Sequence, residues 1–129
     1  MRVRMISLAA LLMLAAPAWA SDVQKDVEDV FEKYERVVHE HEVGKADEVF
    51  TGKFLEGEGG KRAFTDKVKT RPKTKSRTDY RLEVKQGHVD PDLAFAKMTP
   101  ADGSAPATFV MKKGRDGKWR IEGTISDAD

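Results

Sequence analysis

The chain of 129 residues contains no cysteine. No disulfide can staple it, so its stability has to come from a packed core. A strong charge of one sign is also missing: 23 basic residues face 22 acidic ones, a formal net charge of +1. Such a balance points to no particular partner, neither nucleic acid nor an acidic surface. Long hydrophobic runs are absent after residue 20, so nothing there is long enough to span a bilayer. No second apolar run follows the short one at the start, residues 5–16. What stands around that first run is informative. Arg2 and Arg4 precede it, and Ala18-Trp19-Ala20 follows with small residues at the outer positions. This is the order of a secretory signal peptide, with cleavage expected after Ala20 and residence in the periplasm or outside the cell. No cysteine follows the cleavage point, which excludes a lipid-anchored start. Without Arg2 and Arg4 the remaining chain carries 21 basic and 22 acidic residues and is close to neutral.

Residues 21–129 are long enough for one domain and too short for two. Val23, Val27, Val30, Phe31, Tyr34, Val37 and Val38 recur at helical spacing, which predicts a helix over 21–43 with one apolar stripe. Ser21 with Gln24 reads as a capping box, and Gly44 as the residue that ends the helix. Ala46, Val49 and Phe50 predict a short helix ending at Gly52, Phe54-Leu55 an extended piece, and EGEGG a loop. A third helix is expected at about 61–70, stopped by Pro72. The period then changes to two. Tyr80, Leu82 and Val84; Leu93 and Phe95; Phe109 and Met111; and Trp119 with Ile121 each alternate with outward positions, predicting four strands separated by turn-forming residues. Asp116-Gly117 suits a tight hairpin. The fold class is α+β, with helices on one face of an antiparallel meander.

The stretch His39-Glu40-His41-Glu42 looks like a metal site, but helical geometry argues against it. Residues two apart on a helix diverge by about 200°. The phase puts His41 on the buried stripe beside Tyr34, Val37 and Val38, and His39 toward solvent. Removing His41 is therefore expected to matter and removing His39 is not. His88 and Asp90 lie in the turn QGHVDPD without further ligands at a fixed spacing, so no metal site is expected. Gly57, Gly59 and Gly60 lack the Lys-Ser/Thr of a phosphate loop, and no Ser/His/Asp arrangement is present. No cofactor is expected.

The order of elements, together with GKADEVFTGKF and the closing hairpin DGKWRIEG, resembles the NTF2-like (SnoaL-like, cystatin-like α+β) superfamily over most of residues 23–123. The resemblance implies a strongly curved sheet wrapped as a cone around the helices, with a pocket at its wide end. Tyr34, His41, Phe50, Tyr80, Phe95, Phe109 and Trp119 would line that pocket. Enzymes of the superfamily place Asp, His or Tyr inside the cone. The inward strand positions here carry no Asp, Glu or His, which favours non-catalytic binding of an apolar or amphipathic small ligand, or of a protein partner. The alternative is a cofactor-free SnoaL-like enzyme with His41 as base and Tyr34, Tyr80 or Asp47 beside it. A third reading is an interaction protein using residues 61–77, which hold eight basic residues against Asp66 alone. Nucleic acid is not expected for an exported protein with only Phe64 available there for stacking. Ala94, Ala96, Met98 and Val110 fall on the outward positions of the middle strands. With the resemblance, that apolar centre predicts a homodimer through the outer sheet face.

Overall fold

The computed structural model describes residues 17–126. Helix α1 runs Pro17–His39 and carries Val27, Val30, Phe31 and Val37 into the core. It begins upstream of Ser21, so Ser21 and Gln24 form no capping box. Gln24 instead donates from Nε2 to Glu28 Oε2 and to the Leu82 carbonyl, both at 2.9 Å, fastening the helix to the sheet. Apart from the helical backbone of Pro17–Ala20, the expected signal peptide lies outside the described residues.

The helix also ends earlier than the apolar stripe predicts. The Arg36 carbonyl accepts from the N–H groups of both Glu40 and Glu42, and His41 between them takes a left-handed backbone with φ 62°. The chain reverses there into a single 3-10 turn, Val43–Lys45. His41 is thus the terminator that Gly44 was expected to be, and it lies off the helix and off its apolar stripe.

Two short helices follow, α2 (Ala46–Val49) and α3 (Gly52–Gly57). The expected extended piece at Phe54-Leu55 is helical because Thr51 Oγ1 accepts from the Phe54 N–H at 3.1 Å, capping α3. Helix α4 spans Lys61–Lys69, buries Phe64 and Val68, and stops before Pro72.

Strands β1 (Tyr80–Gln86), β2 (Leu93–Pro100), β3 (Ala107–Lys113) and β4 (Trp119–Ser126) form one antiparallel sheet in sequence order. The fold class is α+β, but the sheet is not strongly curled as the resemblance implied. One hydrophobic cluster joins α1 to α4 with the inner face of the sheet.

Strand β2 sits in the opposite phase from the expected one. Ala94 and Ala96 are fully buried and Met98 nearly so, whereas Phe95 is 43 % exposed. Register explains this. Ala96 is the ladder partner of Phe109 and Ala94 that of Met111, while Phe95 faces Val110 on the outer side. Phe109 packs edge-on against Phe31 at 4.9 Å, so the strand beside it contributes small side chains to the same face. A slip of one residue would turn every β2 side chain over. Ala94, Ala96 and Met98 are therefore core residues and cannot form an outer interface.

Strand β4 changes phase within itself. Met111 pairs with Ile121 but Val110 pairs with Gly123, so Glu122 is the extra residue of a β-bulge. Before it Trp119 and Ile121 point inward; after it Thr124, the partner of Phe109, takes the inner side and Ile125 the outer.

Candidate functional site

A cavity of about 210 Å³ opens between the helices and the inner face of β3 and β4. Its walls are aromatic. Phe50 stacks on Phe54 at 4.6 Å, Phe64 meets Phe50 edge-on at 4.9 Å, and Tyr34 lies 5.4 Å from Phe109 and 6.0 Å from Phe50. Val38 and Val68 complete the apolar lining, and Thr124 stands at the β4 side. These rings converge because five segments each supply one: Tyr34 comes from the C-terminal half of α1, Phe50 from the residue that caps α2, Phe54 and Phe64 from α3 and α4, and Phe109 from β3.

The mouth is charged. Lys67 and Glu58 form an ion pair at 2.8 Å, and Arg71 stands beyond the end of α4. No hydrogen bond or ion pair to the Arg71 guanidinium is formed among the described residues. Burial pushes the Tyr34 phenol above its ordinary range and Glu35 adds to this, with Arg77 and Arg71 opposing. Tyr34 is therefore a neutral hydrogen-bond donor across the physiological range, and its hydroxyl has no hydrogen-bond partner among the described residues.

Of the residues expected to line a pocket, Tyr34, Phe50 and Phe109 meet at this cavity. Phe95 does not, because it is on the other face of the sheet. Trp119 is buried beside a separate groove lined by Asp26, Asp29, Lys33 and Glu48. Tyr80 packs against the core without reaching the cavity, and burial raises its phenol as well. His41 lies past the end of α1; its Nε2 is buried with no hydrogen-bond partner. Phe54, Phe64, Lys67, Arg71 and Thr124 were not anticipated. The cap at Thr51 would have revealed Phe54 as helical. The i to i+3 spacing of Phe64 and Lys67, and of Val68 and Arg71, puts cations next to apolar residues on one side of α4.

Beyond Arg71, residues 72–79 cross the end of α1 as a strap without regular structure. Glu35, 1 % exposed, accepts from the Arg77 N–H at 2.7 Å and from its guanidinium at 3.0–3.3 Å. Thr74 N–H donates to the His39 carbonyl at 2.7 Å, His39 Nδ1 hydrogen-bonds with Thr74 Oγ1 at 3.0 Å, and Ser76 N–H donates to Glu40 at 3.2 Å. His39 Nε2 is 3.5 Å from Glu35. So His39, expected to be free in water, belongs to this seam. Among the described residues no group of three or more His, Cys, Asp or Glu side chains is placed to hold a metal ion.

The basic stretch is partly neutralised within the molecule. Lys61 pairs with Asp47 at 3.5 Å, Lys67 with Glu58 and Arg77 with Glu35. A larger hollow of about 340 Å³ lies beside Asp47, Lys112 and Arg120, and Arg120 is occupied there by the Asp47 carbonyl at 2.8 Å and by Asp116 at 3.1 Å. Among the described residues no helix is long and apolar enough to cross a membrane.

Comparison with known families, with curated proteins and with solved structures found no match.

Proposed function

We propose that this protein is an exported, NTF2-like binding module whose aromatic cavity takes one small apolar or amphipathic molecule without chemistry. The observation that carries this is the cavity itself: about 210 Å³ with an open mouth, walled by rings from five segments. An engineered cavity of about 150 Å³ holds a benzene molecule, so there is room here for a ring and a few further atoms. The titratable groups at the wall favour binding over catalysis. Tyr34 is held neutral, Glu58 is paired with Lys67, and His41 does not reach the lining. The superfamily kinship is supported by the order of elements and by a hollow between helices and sheet, and the flatter sheet argues for a shallower version of the cone.

The test is titration of the protein with indole, followed by amide and methyl NMR. Resonances of Val38 and Val68 should shift saturably, and Thr124→Phe, which plugs the mouth from an exposed strand position, should abolish the effect. Unshifted resonances, or binding that survives Thr124→Phe, would reject the reading. Export is tested separately: N-terminal sequencing of protein recovered from outside the cytoplasm should give Ser21 first.

A second reading concerns the outer sheet face. Phe95 and Ile125 are 43 % and 46 % exposed; Val110 is the ladder partner of Phe95, and Ile125 pairs with Thr108 two residues before it on the same face. Phe95 and Ile125 replace Ala94, Ala96 and Met98, beside the retained Val110, as the contact of a proposed homodimer. Sedimentation at high micromolar concentration should show a dimer that Phe95→Glu with Ile125→Glu turns into a folded monomer.

A further inference from the structure

We infer that the occupant of the cavity is a small carboxylic acid, its apolar tail among the rings and its carboxylate on Arg71; this rests on the cavity being a ligand site. The mouth carries two cations and one anion. Lys67 and Glu58, 2.8 Å apart, satisfy each other, and Arg71 remains with no partner for its guanidinium among the described residues. Its position is fixed locally: the Arg71 N–H donates to the Val68 carbonyl at 3.0 Å, and Pro72 follows, so the chain cannot continue as helix. A guanidinium presents parallel N–H donors that match the two oxygens of a carboxylate, which an alcohol cannot satisfy and an amine would meet as a like charge. The Tyr34 hydroxyl is a second donor on the cavity wall, with no hydrogen-bond partner among the described residues. Size limits the tail. A space of about 210 Å³ admits a ring with a short chain and not an extended acyl chain.

The experiment compares three probes that share one tail: 3-phenylpropanoate, 3-phenylpropanol and 3-phenylpropylamine. Affinity is measured by calorimetry, and location by the NMR shifts of Val38 and Val68. The acid should bind at least about tenfold more tightly than the alcohol, with the amine weakest, and added salt should weaken the acid alone. Arg71→Gln, at an exposed position, should bring the acid down to the affinity of the alcohol and leave the alcohol unchanged within about twofold. Equal binding of acid and alcohol, or an acid preference that survives Arg71→Gln, overturns the inference while leaving the cavity as a ligand site. If none of the probes shifts Val38 or Val68, the ligand-site reading fails and the inference falls with it.

Discussion

Two neighbouring residues of one helix, Tyr34 and Glu35, belong to two differently built halves of the molecule. Tyr34 enters a cluster of rings and methyl groups; Glu35 enters a seam of charge-assisted hydrogen bonds that holds the strap. The first half is held by apolar burial, which has no preferred direction and tolerates a change of partner. The second is held by directional bonds between particular atoms, and each loses its value when one partner goes. The aromatic half can therefore leave a hollow without coming apart. The polar seam can leave no vacancy, since a buried carboxylate without Arg77 would be severely penalised.

The contrast can be tested from either side. The largest effect is expected in the aromatic half. Phe31 is fully buried against Tyr34 and Phe109, and Phe31→Ala should cost about 3–5 kcal/mol in urea unfolding. Next comes the seam. Glu35→Ala strands the Arg77 N–H and guanidinium and should cost about 2–3 kcal/mol, less than a wholly enclosed pair because Arg77 is 30 % exposed. Adding Arg77→Met should recover part of that loss, whereas no second change in the aromatic half should rescue Phe31→Ala. A loss at Glu35 larger than that at Phe31 would invert the comparison.

Acid should separate the halves with a smaller effect. The Ser76 hydroxyl and N–H beside it, the N–H donating at 3.2 Å, hold the Glu40 carboxyl below its ordinary value near 4.5. A depressed carboxyl contributes stability that is present above the unfolded value and is lost as pH falls through the folded one. Below about pH 4.5 the Thr74 and Ser76 amides should lose protection from hydrogen exchange before the amides of β3 do. Simultaneous loss would mean that the strap and the core open together. The smallest effect is expected at the helix end. His41→Gly removes a side chain from a left-handed position and should raise stability by up to about 1 kcal/mol, whereas His39→Ala should lower it by about 1 kcal/mol. The sequence alone predicts the reverse order for these two histidines.

Periodic features were legible. The stripe from Val23 to Val38, the third helix and the four strands follow from spacing, because the period of each element is imposed by its own geometry. Three things were not. The side that β2 buries depends on which neighbour is large. Leu93 and Phe95 look like core beside Ala94 and Ala96, until Phe109 claims the inner face. The end of α1 depends on two N–H groups meeting one carbonyl, which spacing cannot foresee. The seam joins residues about forty positions apart. A lone Glu35 at the edge of an acidic helix carries no mark that Arg77 will cover it. The cavity was half visible for the same reasons: Tyr34, Phe50 and Phe109 belong to periodic elements, while Lys67 and Arg71 stood out only as members of a charge run.

The bulge at Glu122 has a consequence for how this chain can change length. Because that residue is the surplus one in β4, it resets the parity of everything after it. Straightening the strand with all residues kept would exchange Thr124 and Ile125, placing an isoleucine in the cavity mouth and stripping the outer face of one of its apolar members. Deleting residue 122 would instead leave Thr124 and Ile125 on their present sides in a regular ladder. A deletion inside a strand normally turns its remainder over; here β4 contains one position where the chain can be shortened by a residue and still present the same two faces.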